Sequence, residues 1–241
     1  MKLPALAAAL SLSLPLAAQA EATATAQLSG FRYEVIDLDL TDGIDAKLTL
    51  DDTGAIVMAG YYASLEGTPL PDPLDYHPGE GTAAVTHATG NASATLTATA
   101  AGATATFHGT QGELFGQALS GHNFTLTANT RLVLYADATV GGTVNADYYG
   151  YSNAITFITY RLPGDAEDTV VEEGIVSYMG LPDARALTIG FSTGADGVSG
   201  TYGFSAGAYG TVAAVPEPST YAMLGLGLVA IGWRARRQRR H

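Results

Sequence analysis

The chain has 241 residues, no cysteine and a formal net charge of −12. Without cysteine it has no disulfide, no thiolate nucleophile and no thiolate metal ligand. So acidic a chain repels nucleic acid and anionic lipid, attracts cations and stays soluble.

The first 20 residues read as a targeting segment. Lys2 supplies a positive start, Leu3 to Leu16 is apolar apart from two serines, and Ala18-Gln19-Ala20 is an A-x-A cleavage site that puts the mature start at Glu21. Residues 1–20 are therefore set aside as a secretory signal peptide for signal peptidase.

Residues 21–214 are long enough for one domain with a real core. They hold five basic residues, Arg32, Lys47, Arg131, Arg161 and Arg185, against 22 acidic ones, a formal −17. Helical periodicity is scarce and period-two alternation is common. Phe31 to Val35 alternates, and so does Ile36 to Leu40 in the opposite phase, which predicts a bulge at Val35-Ile36. Asp42-Gly43 reads as a hairpin turn. Ala46, Leu48 and Leu50 face inward on the return strand, and Asp52-Thr53-Gly54 reads as a second turn. Gly60 to Gly81 reads as one long loop. Strands follow at 94–100 and 103–108, pivoting on Gly102, then around Phe124 to Ala128, Leu132 to Ala136, Ile155 to Leu162, Ile175 to Met179, Leu187 to Phe191 and Tyr202 to Ala208. Ten to twelve short strands with turn residues between them predict an all-β fold, an antiparallel β-sandwich of jelly-roll type. A β-solenoid is the alternative, without a fixed repeat to support it.

The chain closes on "VPEPSTYAMLGLGLVAIGWRARRQRRH", residues 215–241. Pro216 and Pro218 mark a break ahead of a helix. Tyr221 to Trp233 is an uncharged run of 13 residues. As a helix it spans only ~20 Å, against a bilayer core about 30 Å thick. It is expected to be a short transmembrane helix and a weak anchor, held by local thinning of the bilayer. Arg234, Arg236, Arg237, Arg239 and Arg240 form the membrane stop and stay on the cytoplasmic side, leaving the bulk of the chain outside.

Pro216-Glu217-Pro218, the short apolar helix and the arginine cluster, in that order and paired with a signal peptide, resemble the PEP-CTERM sorting signal of Gram-negative bacteria. The resemblance implies recognition at Pro216, Glu217 and Pro218 by an exosortase, a membrane-embedded cysteine protease-transpeptidase that releases or transfers the protein. It also implies a host that makes exopolysaccharide. "SGFRYEVIDLDLTDGIDAKLTL" and "FTLTANTRLVLYADA" resemble segments of the exported β-domains of such proteins, and bring no known activity with them.

Two G-x-S-x-G matches, around Ser192 and Ser205, lack the helix that a nucleophile elbow needs. Asp37, Asp39, Asp42 and Asp45 offer oxygens for a candidate calcium site, but the spacing misses the EF-hand pattern and Leu48 stands where glutamate is required. His77, His87, His108 and His122 lack zinc-protease spacing. Tyr61-Tyr62 and Tyr148 to Tyr151 are candidates for an aromatic sugar platform. Asn91 and Asn123 stand in N-x-[ST] sequons. The expectation is an exported, non-enzymatic surface or matrix protein with no cofactor unless calcium. It would meet the inner membrane transiently, and exopolysaccharide as its partner. The alternatives are a carbohydrate- or calcium-dependent binding module and, behind it, a polysaccharide-active enzyme with paired carboxylates.

Overall fold

The computed structural model describes residues 21–63, 71–108, 112–143, 148–178 and 180–212. Within them lie twelve strands: β1 (Glu21–Asp37), β2 (Leu48–Tyr62), β3 (Leu74–Pro78), β4 (Gly81–His87), β5 (Gly90–Thr97), β6 (Ala100–His108), β7 (Glu113–Leu126), β8 (Thr130–Thr143), β9 (Tyr148–Tyr160), β10 (Thr169–Tyr178), β11 (Asp183–Ser192) and β12 (Val198–Val212). They form two six-stranded sheets, ordered β11-β8-β1-β6-β5-β4 and β10-β9-β12-β7-β2-β3. Every pairing is antiparallel. The expected signal peptide and C-terminal helix fall outside the described residues. Among the described residues no helix is long and apolar enough to cross a membrane.

The sheets stack face to face, β1 over β12 and β6 over β7. Alternation sorts each strand: Ala22, Ala24, Ala26 and Leu28 face the core, while Thr25 and Gln27 face water. The core has two textures. Toward β4, β5 and β6 it is built of Ala83, Ala92, Ala94, Ala101, Ala103 and Ala105. There the sheets approach so closely that a Cβ on Gly116 of β7 would stand 2.4 Å from the Ser93 carbonyl of β5. Toward β11 and β12 it is aromatic, with Phe31 4.5 Å from Phe204 and Tyr160 4.2 Å from Phe191, ring centre to ring centre.

Both lateral edges are closed. The chain switches sheets at β3–β4 and at β10–β11, so the two edge strands on each side are joined by a short connection. Carboxylates then occupy edge N–H groups of the facing sheet. Asp75 accepts from the Ala84 N–H at 2.8 Å, and Glu173 accepts from the Thr188 N–H at 2.7 Å. Arg185 donates to the Gly174 carbonyl at 2.7 Å. An open edge invites pairing with another chain, and these contacts blunt it.

The sandwich agrees with the sequence, but several local expectations change. Twelve strands exceed the eight of a jelly roll, and β1 and β12 sit in opposite sheets. Asp42-Gly43 does not close a hairpin, because β1 and β2 belong to different sheets. The bulge of β1 lies between Ser29 and Arg32, where Gly30 takes φ +63°, not at Val35-Ile36. Asp52-Thr53 is not a turn but the irregularity inside β2, between Leu50 and Thr53. Gly102 lies within β6, and β3 occupies part of the expected long loop.

Candidate functional site

Both ends of the sandwich chain meet at one pole. At the start of β1, Glu21 pairs with His108 of β6 and Ala22 with Phe107. In β12, Gly210 sits across the core from the same Phe107 ring, and Thr211 pairs with Glu113. The opposite pole carries the connections at 38–47, 127–129, 161–168 and 193–197.

At the first pole the outer face of the β10-containing sheet carries a row of aromatic rings. Phe115 of β7, Tyr209 of β12, Tyr151 of β9 and Tyr178 of β10 are register partners, one rung across four neighbouring strands. Tyr151 and Tyr209 stack at 4.7 Å and 9°, and Tyr62 of β2 extends the row by stacking on Phe115 at 5.3 Å. Gly60, opposite Phe115 in β2, has no side chain because the Phe115 ring lies over it. The row becomes more exposed toward the sheet edge, from Tyr151 at 39% to Tyr178 at 68%, and Leu181 beyond it is 71% exposed. Glu113, Thr211, Gly150 and Gly210 complete an apolar depression of about 200 Å³ beside Tyr151, Tyr178 and Tyr209. Burial raises the Glu113 carboxyl pKa. The Tyr209 phenol is pushed up to about 12, first by burial and then by Tyr151, Glu113 and Tyr62. Tyr151 moves up for the same first cause.

The other sheet's outer face is hydroxylated. Ser93 and Thr104 bond at 2.8 Å, Thr23 and Thr143 at 3.0 Å, and Thr82 and Thr95 at 3.3 Å. A shallow hollow of about 450 Å³ runs over Thr25, Gln27, Ser93, Thr95 and Thr104.

The aspartates expected to gather around calcium lie at the far pole and serve the backbone there. Asp37 accepts from the Asp39 N–H at 2.9 Å, and Asp42 from the Ile44 N–H at 2.8 Å. Asp39 accepts from the Thr41 N–H and hydroxyl, which lowers its pKa. Asp42 also accepts from the Asn129 side-chain amide at 2.6 Å, at the one non-glycine residue with positive φ among those described. Asp45 is exposed in the same connection. Among the described residues no three His, Asp or Glu side chains converge as a metal would need.

The remaining candidates disperse. His77 bonds Asp75 at 2.9 Å, His87 stacks on Tyr61 at 3.8 Å, and His122 stacks on Tyr202 at 5.2 Å. Ser192 ends β11 and Ser205 lies in the middle of β12, so neither stands on a strand-to-helix elbow. Tyr61 and Tyr62 point to opposite faces, Tyr61 into the core. Among the described side chains, Tyr62 and Tyr151 of the expected tyrosines join the aromatic row, those of Tyr148 and Tyr149 lie outside the described set, and Phe115, Tyr178, Tyr209 and Glu113 are additions to the row.

Glu21, the expected first mature residue, opens β1. Ala18 and Ala20, Pro216 to Pro218, and the five tail arginines lie outside the described residues. A model of the PEP-CTERM protein-sorting motif matches residues 214–237. This chain carries a PEP-CTERM sorting motif. The match takes in Pro216, Glu217 and Pro218, the apolar run, and Arg234, Arg236 and Arg237, and it begins two residues after Val212, the last residue of β12. Arg239 and Arg240 follow it. The PEP-CTERM motif implies an exported precursor with a membrane-anchoring sorting signal, processed by an exosortase. No curated protein matches the chain.

Proposed function

We propose that the chain is the precursor of a non-enzymatic surface or extracellular-matrix protein of a Gram-negative, exopolysaccharide-producing bacterium. Signal peptidase removes residues 1–20, the tail holds the sandwich at the inner membrane as a short helix, and exosortase acts at Pro216-Glu217-Pro218. The mature domain then works at the cell surface or beyond it, among exopolysaccharide.

The observation that carries this reading is the sorting motif standing two residues beyond the last strand. The work of the domain is assigned to its surface, because only one of its two broad faces adds an aromatic row at one pole to the threonine and serine hydroxyls that both faces carry. The test is the intact mass of the protein from its native host. Loss of residues 1–20 and of the segment after about Pro218 is expected, with any added mass marking an attached group. A retained arginine tail would overturn the sorting assignment.

A further inference from the structure

The length of the link between sandwich and anchor restricts where the aromatic row can be. Residues 213–220 separate Val212 from Tyr221, where the apolar run begins. Eight residues reach at most roughly 30 Å when fully extended. Tyr209 lies three residues back along β12 from Val212, about 10 Å at the rise of a strand. Anchoring the tail therefore holds the Tyr151–Tyr178–Leu181 corner within reach of the headgroups for as long as the tail is uncut.

The chemistry of that corner suits the place. Tyrosine combines an apolar ring with a polar hydroxyl and concentrates at headgroup level in membrane proteins. Tyr178 and Leu181 are exposed by 68% and 71%. A sugar platform is the poorer match, because a sugar ring needs a free aromatic face and Tyr151 and Tyr209 each have one face stacked on the other at 4.7 Å and the next ring of the row, Tyr178 or Phe115, beyond. Exposed apolar side chains also occur elsewhere, among them Leu74 and Tyr76 of β3 and Val170 and Val176 of β10, but the most exposed of all, Leu40, stands with Leu38 among Asp37, Asp39, Asp42 and Asp45 at the far pole. A 15-residue β12 sets that pole about 50 Å from the residue at which the link leaves the sandwich, so the aromatic corner is the apolar surface next to the anchor.

We propose that in the anchored precursor the sandwich rests on its own membrane, with Tyr151, Tyr178 and Leu181 seated among zwitterionic phospholipid headgroups. This rests on the tail being held in the bilayer. The domain's formal −17 opposes anionic headgroups, so neutral phospholipid is the partner. The contact fixes the sandwich upright and aligns the sorting motif at the bilayer surface.

The test uses the chain from Glu21 to His241 in phosphatidylcholine vesicles. The absence of cysteine permits single labels at Tyr178→Cys and, at the far pole, Asp165→Cys, each with a polarity-sensitive dye. Trp233 is the single tryptophan, so its quenching by acyl-brominated lipid reports the anchor independently. Expected are a quenched Trp233, a blue-shifted dye at 178 that is quenched by headgroup spin label, and an unshifted dye at 165. The 178 signal weakens when anionic phosphatidylglycerol is added at low salt. A quenched Trp233 with dyes at 178 and 165 behaving alike overturns the proposal and leaves the anchor standing. An unquenched Trp233 overturns both. A shift at 178 that appears in lipid-free detergent and grows with protein concentration assigns the face to a second copy and also overturns the proposal.

Discussion

The ring of Phe107 fills the space in which a side chain on Gly210 would stand: a Cβ there would lie 2.0 Å from the ring. Phe107, near the end of β6, pairs with Ala22 at the start of β1, and Gly210 lies near the end of β12, just ahead of the sorting motif. The two sheets are thus pinned together at the pole where the chain enters and leaves.

Gly210→Ala is expected to destabilise the domain by about 1–3 kcal/mol, the usual cost of overpacking. Gly54→Ala, at a position where a Cβ meets nothing within 4 Å, should leave the denaturation midpoint nearly unchanged. Phe107→Leu in the Gly210→Ala background should recover part of the loss, measured as coupling in a double-mutant cycle. Equal effects at Gly210 and Gly54 would refute the pinning.

The aromatic part of the core is expected to carry more stability per residue than the alanine part. Phe124 is 1% exposed and packs against Phe191 and Tyr202. Phe124→Ala should cost about 3–5 kcal/mol in a urea titration. In the alanine region the sensitivity reverses in sign of size: Ala94→Leu, at a residue 1% exposed, should destabilise because the sheets leave no room.

Asp75 and Glu173 guard the two lateral edges, both reaching from the outermost strands of one sheet to the edge strands of the other. Asp75→Ala and Glu173→Ala should each cost about 0.5–1.5 kcal/mol, the net worth of one hydrogen bond. The larger effect is expected in self-association, since each variant frees an edge N–H. Sedimentation at rising concentration should show association for the double variant before it shows for either single one; a monomeric double variant would count against edge protection.

Alkaline pH should unfold the protein through Tyr202 and Tyr209. Both phenols have folded-state pKa values raised from 10.0 to about 12, chiefly by burial. Above pH 10 the unfolded chain therefore releases protons that the folded chain keeps, and stability falls as pH rises through about 12. A phenolate absorbance titration should show these two tyrosines ionising together with loss of structure. Smooth ionisation with the fold intact would contradict their burial.

Glu113 is the carboxylate counterpart. Its pKa is raised by burial, so ionisation disfavours the folded state and its contribution to stability declines as pH rises through the folded value. Glu113→Gln should raise the melting temperature at neutral pH and make no difference in acid, where both side chains are neutral.

Period-two alternation made the sandwich legible, because alternation follows directly from burying one face of a strand. Phe124, Leu126, Leu132 and Leu134 faced inward as their spacing required. Partners were not legible. Asp42-Gly43 looks like a hairpin turn in any sequence, and whether the next strand pairs with the last or crosses to the other sheet depends on contacts far along the chain. The aromatic row was hidden for the same reason: Phe115, Tyr151, Tyr178 and Tyr209 are spread over 95 positions and meet only through register. The sorting motif was legible in full, since its proline pair, apolar run and arginines are contiguous and carry their chemistry without a fold.

The position of β1 bears on how such a protein leaves the cell. It is the first of the described strands, yet it lies inside its sheet between β6 and β8, and Thr23 reaches across to Thr143, 120 residues later. Nothing near it in sequence can complete it, so the emerging chain stays without a finished sheet until well over half has been delivered. Pairing so distant is slow to form. For the exported precursor that the sorting motif implies, such a delay would keep the chain open while it crosses the membrane. The last strand, β12, pairs between β7 and β9 and arrives just ahead of the sorting motif, so assembly of the domain and arrival of its membrane anchor fall at the same moment in export.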